Sequence, residues 1–196
     1  KEAIKNLKSW MRPEKRSIDL PFQLAGGHAE VRYQPLGVVG CISPWNFPFN
    51  LTFGPMANIL AAGNRAMLKP SETTPASAAL IAELVASNFD ASEVAVVTGG
   101  PDVSAAFSAL PFDHLLYTGG ERVAKSIMKA AAENLTPVTL ELGGKSPFIV
   151  FDDADIDSAI EGLVDAIWFN QGQVCCAGSR LLVHEPVADR FYAKLR

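Results

Sequence analysis

Two adjacent cysteines, Cys175 and Cys176, lie in the stretch NQGQVCCAGSR, which spans residues 170–180. A cysteine in such a glycine-flanked turn is accessible, and backbone N–H groups there can stabilise its thiolate as a nucleophile. Packing in a core is the alternative for both residues. A metal site is not indicated, because adjacent cysteines point in different directions and the histidines lie elsewhere in the sequence. The third cysteine, Cys41, lies inside an apolar run and is expected to pack in the core.

An acid and an amide are further candidates for chemistry. Glu141 begins the stretch ELGGKSP, where a carboxylate is not needed for packing and could act as a general base if it were partly buried. An ion pair with Lys145 is the alternative. Asn46, in SPWNFPFN, could donate its side-chain N–H to a developing oxyanion, or could instead form an Asx-turn before Pro48.

Three further stretches have the residue types of a dinucleotide site. In KPSETT, Lys69 could donate to a diol and Glu72 could accept from it, as carboxylates do with ribose; a solvated turn is the alternative. TGGP (98–101) and TGGERVA (118–124) each follow an apolar run and precede a helical pattern. Glycine lets the backbone approach a pyrophosphate, and the charge of that group suits a helix N-terminus.

The elements that must position these residues alternate along the chain. Short apolar or β-branched runs are separated by helical patterns, which predicts an α/β fold: a Rossmann-like parallel sheet with helices on both faces. In such sheets ligands bind beyond the carboxyl ends of the strands. Thr74 followed by Pro75 should begin one helix, with Thr74 as its cap. The predicted strands are 36–42, 65–69, 93–98, 113–118 and 137–142, and the helices are near 52–62, 75–88, 101–109 and 120–134.

The chain divides into three parts. Residues 1–35 form an N-terminal helix, over 1–11, and an extended arm with a strand around 29–33. Residues 36–140 form the dinucleotide-binding domain. Residues 141–196 begin an α/β catalytic domain, with an apolar run at 146–151, a helix near 156–169 and a strand near 180–184.

Composition excludes several classes of function. The 196 residues have a net charge of −4, which provides no basic surface for nucleic acid. No apolar run approaches the roughly 18 residues of a membrane span, and the first residues, KEAIKNLKSWM, lack the core of a signal peptide. Three cysteines, two of them adjacent, do not suggest disulfides, and a cytoplasmic location is favoured.

Five motifs in order resemble the aldehyde dehydrogenase superfamily: PWNFP, KPSE, YTGG, LELGGKSP and NQGQVCCAGSR. The resemblance extends from about Pro35 to the end of the chain. FSALPFDHLLYTGG and AENLTPVTLELGGKSP further resemble the coniferyl-aldehyde branch, whereas GQVCCAGSR is closer to general aldehyde dehydrogenases. The resemblance implies oxidation of an aldehyde to a carboxylic acid with NAD(P) as the cofactor.

The resemblance also implies catalytic roles. Cys175 matches the nucleophile of the family's Gly-Gln-x-Cys pattern, and Cys176 is its neighbour. Asn46 matches the side-chain oxyanion donor, which works with the backbone N–H of Cys175. Glu141 matches the base that activates water to hydrolyse the thioester.

The cofactor roles follow in the same way. Lys69 and Glu72 match the groups on the adenosine ribose, so NAD is the expected cofactor, with NADP possible. Gly119 matches the glycine at the pyrophosphate turn, and Gly120 and Trp45 are placed with it among the cofactor-binding residues. Two departures occur in this turn: Gly120 stands where the family often has Ser, and Ala124 where it usually has Gly.

The chain ends about twenty residues after Cys175, so it resembles a fragment that lacks the Glu-x-Phe-Gly-Pro motif and an oligomerisation strand. Full-length relatives of this kind are expected to be homo-oligomers acting on a small aldehyde. A catalytically inactive, dinucleotide-binding or structural fragment is the alternative. A third hypothesis, an acylating relative, is disfavoured because such enzymes commonly lack the base that Glu141 supplies.

Overall fold

The computed structural model describes residues 2–196, which divide into two compact units. The first runs to Thr118 and includes Lys125–Thr139; the second comprises Gly119–Ala124 and Leu140–Arg196. The helices are α1 (Glu2–Trp10), α2 (Leu20–Leu24), α3 (Asn50–Ala61), α4 (Pro75–Asn88), α5 (Pro101–Ser108), α6 (Glu121–Ala132), α7 (Ile156–Trp168) and α8 (Glu185–Leu195). The strands are β1 (Glu14–Arg16), β2 (Ala29–Val31), β3 (Val38–Ile42), β4 (Arg65–Lys69), β5 (Val94–Val96), β6 (His114–Gly119), β7 (Val138–Leu142), β8 (Pro147–Val150) and β9 (Arg180–Val183).

A five-stranded sheet has the order β5-β4-β3-β6-β7 and is flanked by helices. The pairs β3–β4, β3–β6 and β4–β5 are parallel, as crossover connections through helices require. Each of the five strands corresponds to one of the five apolar runs, so the predicted α/β fold is confirmed. The separate hairpin-like pair of β1 and β2 is antiparallel.

The core of this sheet consists of apolar side chains from neighbouring strands and from the covering helices. Cys41 on β3 and Leu68 on β4 are almost completely buried, together with Ile81 and Val85 on α4 and Val94 on β5. Continuous apolar runs are typical of parallel strands covered on both faces. The prediction that Cys41 packs in the core is therefore confirmed, and burial raises the pKa of its thiol to about 12.

Gly40 on β3 allows a close approach that no other residue type would permit. A Cβ at this position would lie 2.7 Å from the Phe112 ring and 2.8 Å from Leu115. We expect Gly40→Ala to lower the free energy of unfolding by about 1–3 kcal/mol, because overpacking forces the neighbours apart. Gly54→Ala is the control: Gly54 has open space on helix α3, and the substitution should stabilise by about 0.4–1 kcal/mol. Urea denaturation measures both, and equal stability of the two variants would contradict this account.

The second unit contains a parallel pair, β8 and β9, that packs with helices α7 and α8. Its core is formed by five buried apolar residues: Val150, Ile156, Leu163, Val187 and Phe191. Helix α7 begins at a true cap, because the Asp155 carboxylate accepts a hydrogen bond from the N–H of Ser158 at 2.8 Å. The segment that contains the two adjacent cysteines connects α7 to β9.

Several local predictions need correction. Thr74 precedes α4, but its side chain makes no capping hydrogen bond; its hydroxyl instead donates to the carbonyl of Ser71 at 3.5 Å. Pro75 alone fixes the start of this helix, since its φ is already helical. The elements β1, α2 and α8 were not predicted, because each is short or surrounded by proline, glycine and charged residues. No helix of the described residues 2–196 is long and apolar enough to cross a membrane.

Candidate active site and cofactor-binding loops

The carboxyl ends of three neighbouring strands are aligned in register. Ile42 at the end of β3 pairs with Lys69 at the end of β4 and with Tyr117 on β6. The N–H of Ser43 continues this pattern by donating to the carbonyl of Lys69 at 3.1 Å. The loops that begin after β3 and β4 therefore leave the same edge of the sheet, where ligands bind in folds of this class.

The loop after β3 is held in place by a buried hydroxyl chain. The Thr52 hydroxyl donates its single proton to the carbonyl of Pro48 at 2.6 Å. The Ser43 hydroxyl, 2.6 Å from that of Thr52, is therefore the donor in the bond between the two side chains. Both hydroxyl side chains are buried. Between these anchors lie Asn46, which is half-buried, and Trp45, which is 47% exposed. The sequence analysis did not identify Ser43 and Thr52, although a threonine four residues after a proline carbonyl is a recognisable pattern.

Lys69 and Glu72, which the sequence analysis expected to bind a diol together, lie in contact with each other. The Lys69 Nζ donates to the Glu72 carboxylate at 3.2 Å and to the carbonyl of Pro70 at 3.0 Å. The side chain of Lys69 is fully buried, whereas that of Glu72 is 38% exposed. Glu72 is therefore the member of the pair that is open to a ligand, and Lys69 holds it in position.

Glu72 is negatively charged at neutral pH. A hydrogen bond from its own backbone N–H is the largest effect and lowers the pKa of Glu72. The hydrogen bond and the charge of Lys69 lower this pKa further, while partial burial raises it. A carboxylate with free lone pairs at a strand end can accept hydrogen bonds from vicinal hydroxyls.

The glycine turn after β6 is compact. Strand β6 ends at Gly119 and helix α6 begins at Glu121, so Gly120 alone separates them. The N–H of Ala124 donates to the carbonyl of Gly120 at 3.1 Å, and Ala124 is buried. A Cβ at Gly120 would meet no atom within 4 Å, so a small side chain such as that of serine would fit there.

Three consecutive residues before the cysteines adopt left-handed backbone conformations. Asn170, Gln171 and Gly172 have φ values of 48°, 61° and 76°. Two of the three are not glycine, and such residues occupy this region only rarely. This stretch reverses the chain at the end of α7 and leads directly into the cysteine turn.

Cys175 and Cys176 occupy the two central positions of a turn. The turn is closed by the N–H of Ala177, which donates to the carbonyl of Val174 at 3.1 Å. Both cysteines are exposed and both thiols are free. Within residues 2–196 no acceptor is found for the backbone N–H of Cys175, which leaves this donor available to an oxyanion formed at the same residue.

Glu141 lies on β7, one residue before the end of the strand. Its side chain is exposed, so residues 2–196 do not provide the partial burial that the sequence analysis required if Glu141 is to act as a general base. In the described part of the chain Glu141 forms no ion pair with Lys145, which is also exposed. The alternative role of Glu141, an ion pair with Lys145, is therefore not seen among the described residues.

The structure therefore brings Lys69 and Glu72 into contact. It also aligns the end of β3, which precedes Asn46, with the end of β4 at Lys69. Gly119, Gly120, Glu141 and Cys175 belong to the second unit. Among residues 2–196 no group of three or more His, Cys, Asp or Glu side chains is arranged to hold a metal ion.

Comparison with known proteins identifies the chain's relatives. Residues 2–196 match the aldehyde dehydrogenase family. A coniferyl aldehyde dehydrogenase from a Pseudomonas species is 53% identical over 194 residues, which is 99% of this chain and 40% of the relative. A Staphylococcus aureus aldehyde dehydrogenase in a substrate-bound state superposes with a TM-score of 0.90 and is 40% identical, covering 98% of this chain and 42% of that one.

A third comparison, with the NAD+ complex of an aldehyde dehydrogenase from Bacillus cereus, gives a TM-score of 0.85 and 36% identity. It covers 99% of this chain and 40% of that one. The chain thus spans about two-fifths of the length of the relatives it matches. The family match over nearly every residue, together with these identities, shows that the chain belongs to the aldehyde dehydrogenase family.

Proposed function

We propose that this chain is part of an NAD(P)-dependent enzyme that oxidises an aldehyde to a carboxylic acid. The observation that carries the proposal is the cysteine turn, in which an exposed thiol and an unoccupied backbone N–H occur on the same residue, Cys175. A nucleophile and a donor for the resulting oxyanion are the two groups that covalent attack on a carbonyl requires.

The proposed reaction has two stages. The Cys175 thiolate attacks the carbonyl carbon, and the oxyanion of the thiohemiacetal accepts hydrogen bonds from the N–H of Cys175 and the side chain of Asn46. A nicotinamide cofactor would supply the hydride acceptor, so that loss of a hydride from this carbon would convert the thiohemiacetal on Cys175 into a thioester. Water then attacks the thioester while Glu141 takes its proton, which releases the acid and restores the thiol.

Peptide mapping tests the covalent stage. Trypsin should release residues 146–180 as one peptide, because Lys145 and Arg180 flank a stretch without other basic residues. That peptide contains both Cys175 and Cys176 and no other cysteine. Incubation of a full-length enzyme containing this segment with aldehyde and NAD, followed by rapid quenching, should place an acyl group on Cys175. Coniferyl aldehyde, named for the Pseudomonas relative, is the first substrate to use. An acyl group on Cys176, or none on either residue, would contradict the proposal.

The proposed cofactor-binding residues lie at the carboxyl ends of strands and in the loops that follow β3, β4 and β6. Glu72, held by Lys69, accepts hydrogen bonds from the adenosine ribose, while Gly119 and Gly120 let the backbone approach the pyrophosphate. Trp45 lies in the loop after β3 and contacts the cofactor. The NAD+ complex of the Bacillus cereus relative supports NAD as the cofactor of this fold.

Cofactor choice should depend on the charge of Glu72. A carboxylate repels the 2′-phosphate of NADP, so we expect NAD to be preferred in kcat/KM. Glu72→Gln should raise the NADP-to-NAD ratio of kcat/KM by about fivefold or more, since two like charges about 4 Å apart repel by about 1 kcal/mol even in water. The ratio is the useful measurement because any loss of folded enzyme cancels in it. A wild-type preference for NADP, or a ratio unchanged in Glu72→Gln, would exclude the ribose role.

We also propose a division of the chain into three parts. Residues 36–140 form the dinucleotide-binding domain and residues 141–196 begin the catalytic domain, with the arm of residues 1–35 preceding both. A full-length enzyme should be a homo-oligomer, which sedimentation equilibrium would test.

A further inference from the structure

We propose that Thr52 and Ser43 are positioning residues for the proposed reaction. Their hydroxyl groups fix the loop after β3, which carries Asn46, and so determine how well the Asn46 amide stabilises the oxyanion. The inference rests on the proposed function, in which Asn46 is one of the two oxyanion donors. Thr52 and Ser43 act through Asn46 and not on the substrate itself.

The first argument is where the hydrogen bonds lie along this loop. Ser43 is three residues before Asn46, and Pro48 is two residues after it. The Thr52 hydroxyl bonds to both, because it accepts from the Ser43 hydroxyl at 2.6 Å and donates to the carbonyl of Pro48 at 2.6 Å. The N–H of Ser43 also donates to the carbonyl of Lys69 at 3.1 Å, which joins the loop to β4. One side chain on helix α3 therefore fastens the loop on both sides of Asn46.

The second argument is burial. Thr52 is 0% exposed and Ser43 is 3% exposed, so water does not replace either bond. A helical threonine that bonds to the carbonyl four residues earlier is common and says little by itself. The additional bond to Ser43, nine residues earlier, is different, because it forms only when the loop returns to α3. A buried hydroxyl without a partner is costly, so the loop is held in the conformation that pairs all three groups.

The third argument is that packing of the neighbouring rings contributes little to holding this loop among residues 2–196. Trp45 is 47% exposed and Phe49 is 38% exposed, and these two residues lie on either side of Asn46. The hydroxyl groups are thus the main constraint on the loop. An oxyanion donor is effective only when it is held in place before the charge develops, and a small displacement of such a group is costly in rate.

Single-turnover kinetics test the inference in a full-length enzyme containing this segment, with NAD and coniferyl aldehyde. Thr52→Val keeps the shape of the side chain and removes the hydroxyl, so we expect the burst of NADH to slow by about 10–100-fold. Thr52→Ser keeps the hydroxyl and should restore most of the rate. If Thr52→Val folds poorly, Ser43→Ala replaces it; this variant leaves the bond between Thr52 and Pro48 intact and should slow the burst to a smaller extent.

Thr136→Val is the matched control. Thr136 is also buried, and its hydroxyl donates to the carbonyl of Phe112 at 2.9 Å. These two residues precede β7 and β6, so they lie at the amino ends of the strands, whereas the Asn46 loop follows the carboxyl end of β3. Thr136→Val should lower the stability to urea and keep the wild-type burst rate.

A double variant separates the positioning of Asn46 from a general effect on folding. Asn46→Ala should slow the burst by about 10²–10³-fold, as the loss of an oxyanion donor does. Adding Thr52→Val to Asn46→Ala should slow it little further, because no amide is left to position.

The outcomes distinguish this inference from the proposed function. An impaired Asn46→Ala enzyme beside a Thr52→Val enzyme with the wild-type burst rate would overturn the inference alone. So would losses that multiply fully in the double variant, or a Thr136→Val enzyme as slow as Thr52→Val. An Asn46→Ala enzyme with the wild-type burst rate would instead remove Asn46 from the proposed function, and the inference would fall with it.

Discussion

A Cys175→Ala variant of a full-length enzyme containing this segment should lose aldehyde oxidation. We expect kcat to fall by roughly 10⁴–10⁶-fold, the scale on which enzymes with covalent intermediates respond to loss of their nucleophile. The methyl group of alanine cannot attack the carbonyl, so neither the thiohemiacetal nor the thioester can form. NAD binding should persist, because the proposed cofactor-binding residues are separate from Cys175, and fluorescence quenching on NAD addition would show this.

Cys176→Ala is the control for this experiment. It removes a thiol from the same turn and leaves Cys175 and its backbone N–H in place, so most activity should remain. Steady-state NADH formation measures both variants under identical conditions. If Cys176→Ala were inactive and Cys175→Ala active, the assignment of the nucleophile would be reversed; if both were active, a cysteine nucleophile would be excluded.

The parallel sheet could be predicted because its signal is local. Each of its strands is a short apolar run, and parallel strands covered by helices are apolar along their whole length. The contact between Lys69 and Glu72 could also be anticipated, because the two residues are three apart in a turn after a strand. Patterns of this kind do not require any knowledge of residues that are distant in sequence.

Other features depend on tertiary packing and could not be predicted. The full burial of Lys69 is one, since a lysine at a strand end is ordinarily solvated, and here the carbonyl of Pro70 and the carboxylate of Glu72 replace water. The positive φ values of Asn170 and Gln171 are another, because neither residue type requires that conformation. The strand β1 also lacks a signal: its three residues, Glu-Lys-Arg, are charged and form a strand only because β2 pairs with them.

The second large effect should be found in a Glu141→Gln variant of a full-length enzyme. Glutamine keeps the shape and polarity of the side chain but cannot accept the proton of the attacking water. Hydride transfer precedes that step, so the first turnover should still produce NADH, in a burst near one equivalent per active site. Later turnovers should be slower by about 10²–10⁴-fold, which is the usual contribution of a general base to the step it serves.

The burst distinguishes a role in hydrolysis from a role in activating the thiol. If Glu141 only activates water, the burst rate of Glu141→Gln should equal that of the wild type, and acyl-enzyme should accumulate on the peptide 146–180. If Glu141 also deprotonates Cys175, the burst itself should be slower and should recover as the pH is raised, because hydroxide then replaces the missing base. Stopped-flow absorbance of NADH measures both phases in one experiment. Unchanged steady-state turnover in Glu141→Gln would remove this carboxylate from the mechanism, and the exposed position of Glu141 on β7 would then reflect only solvation.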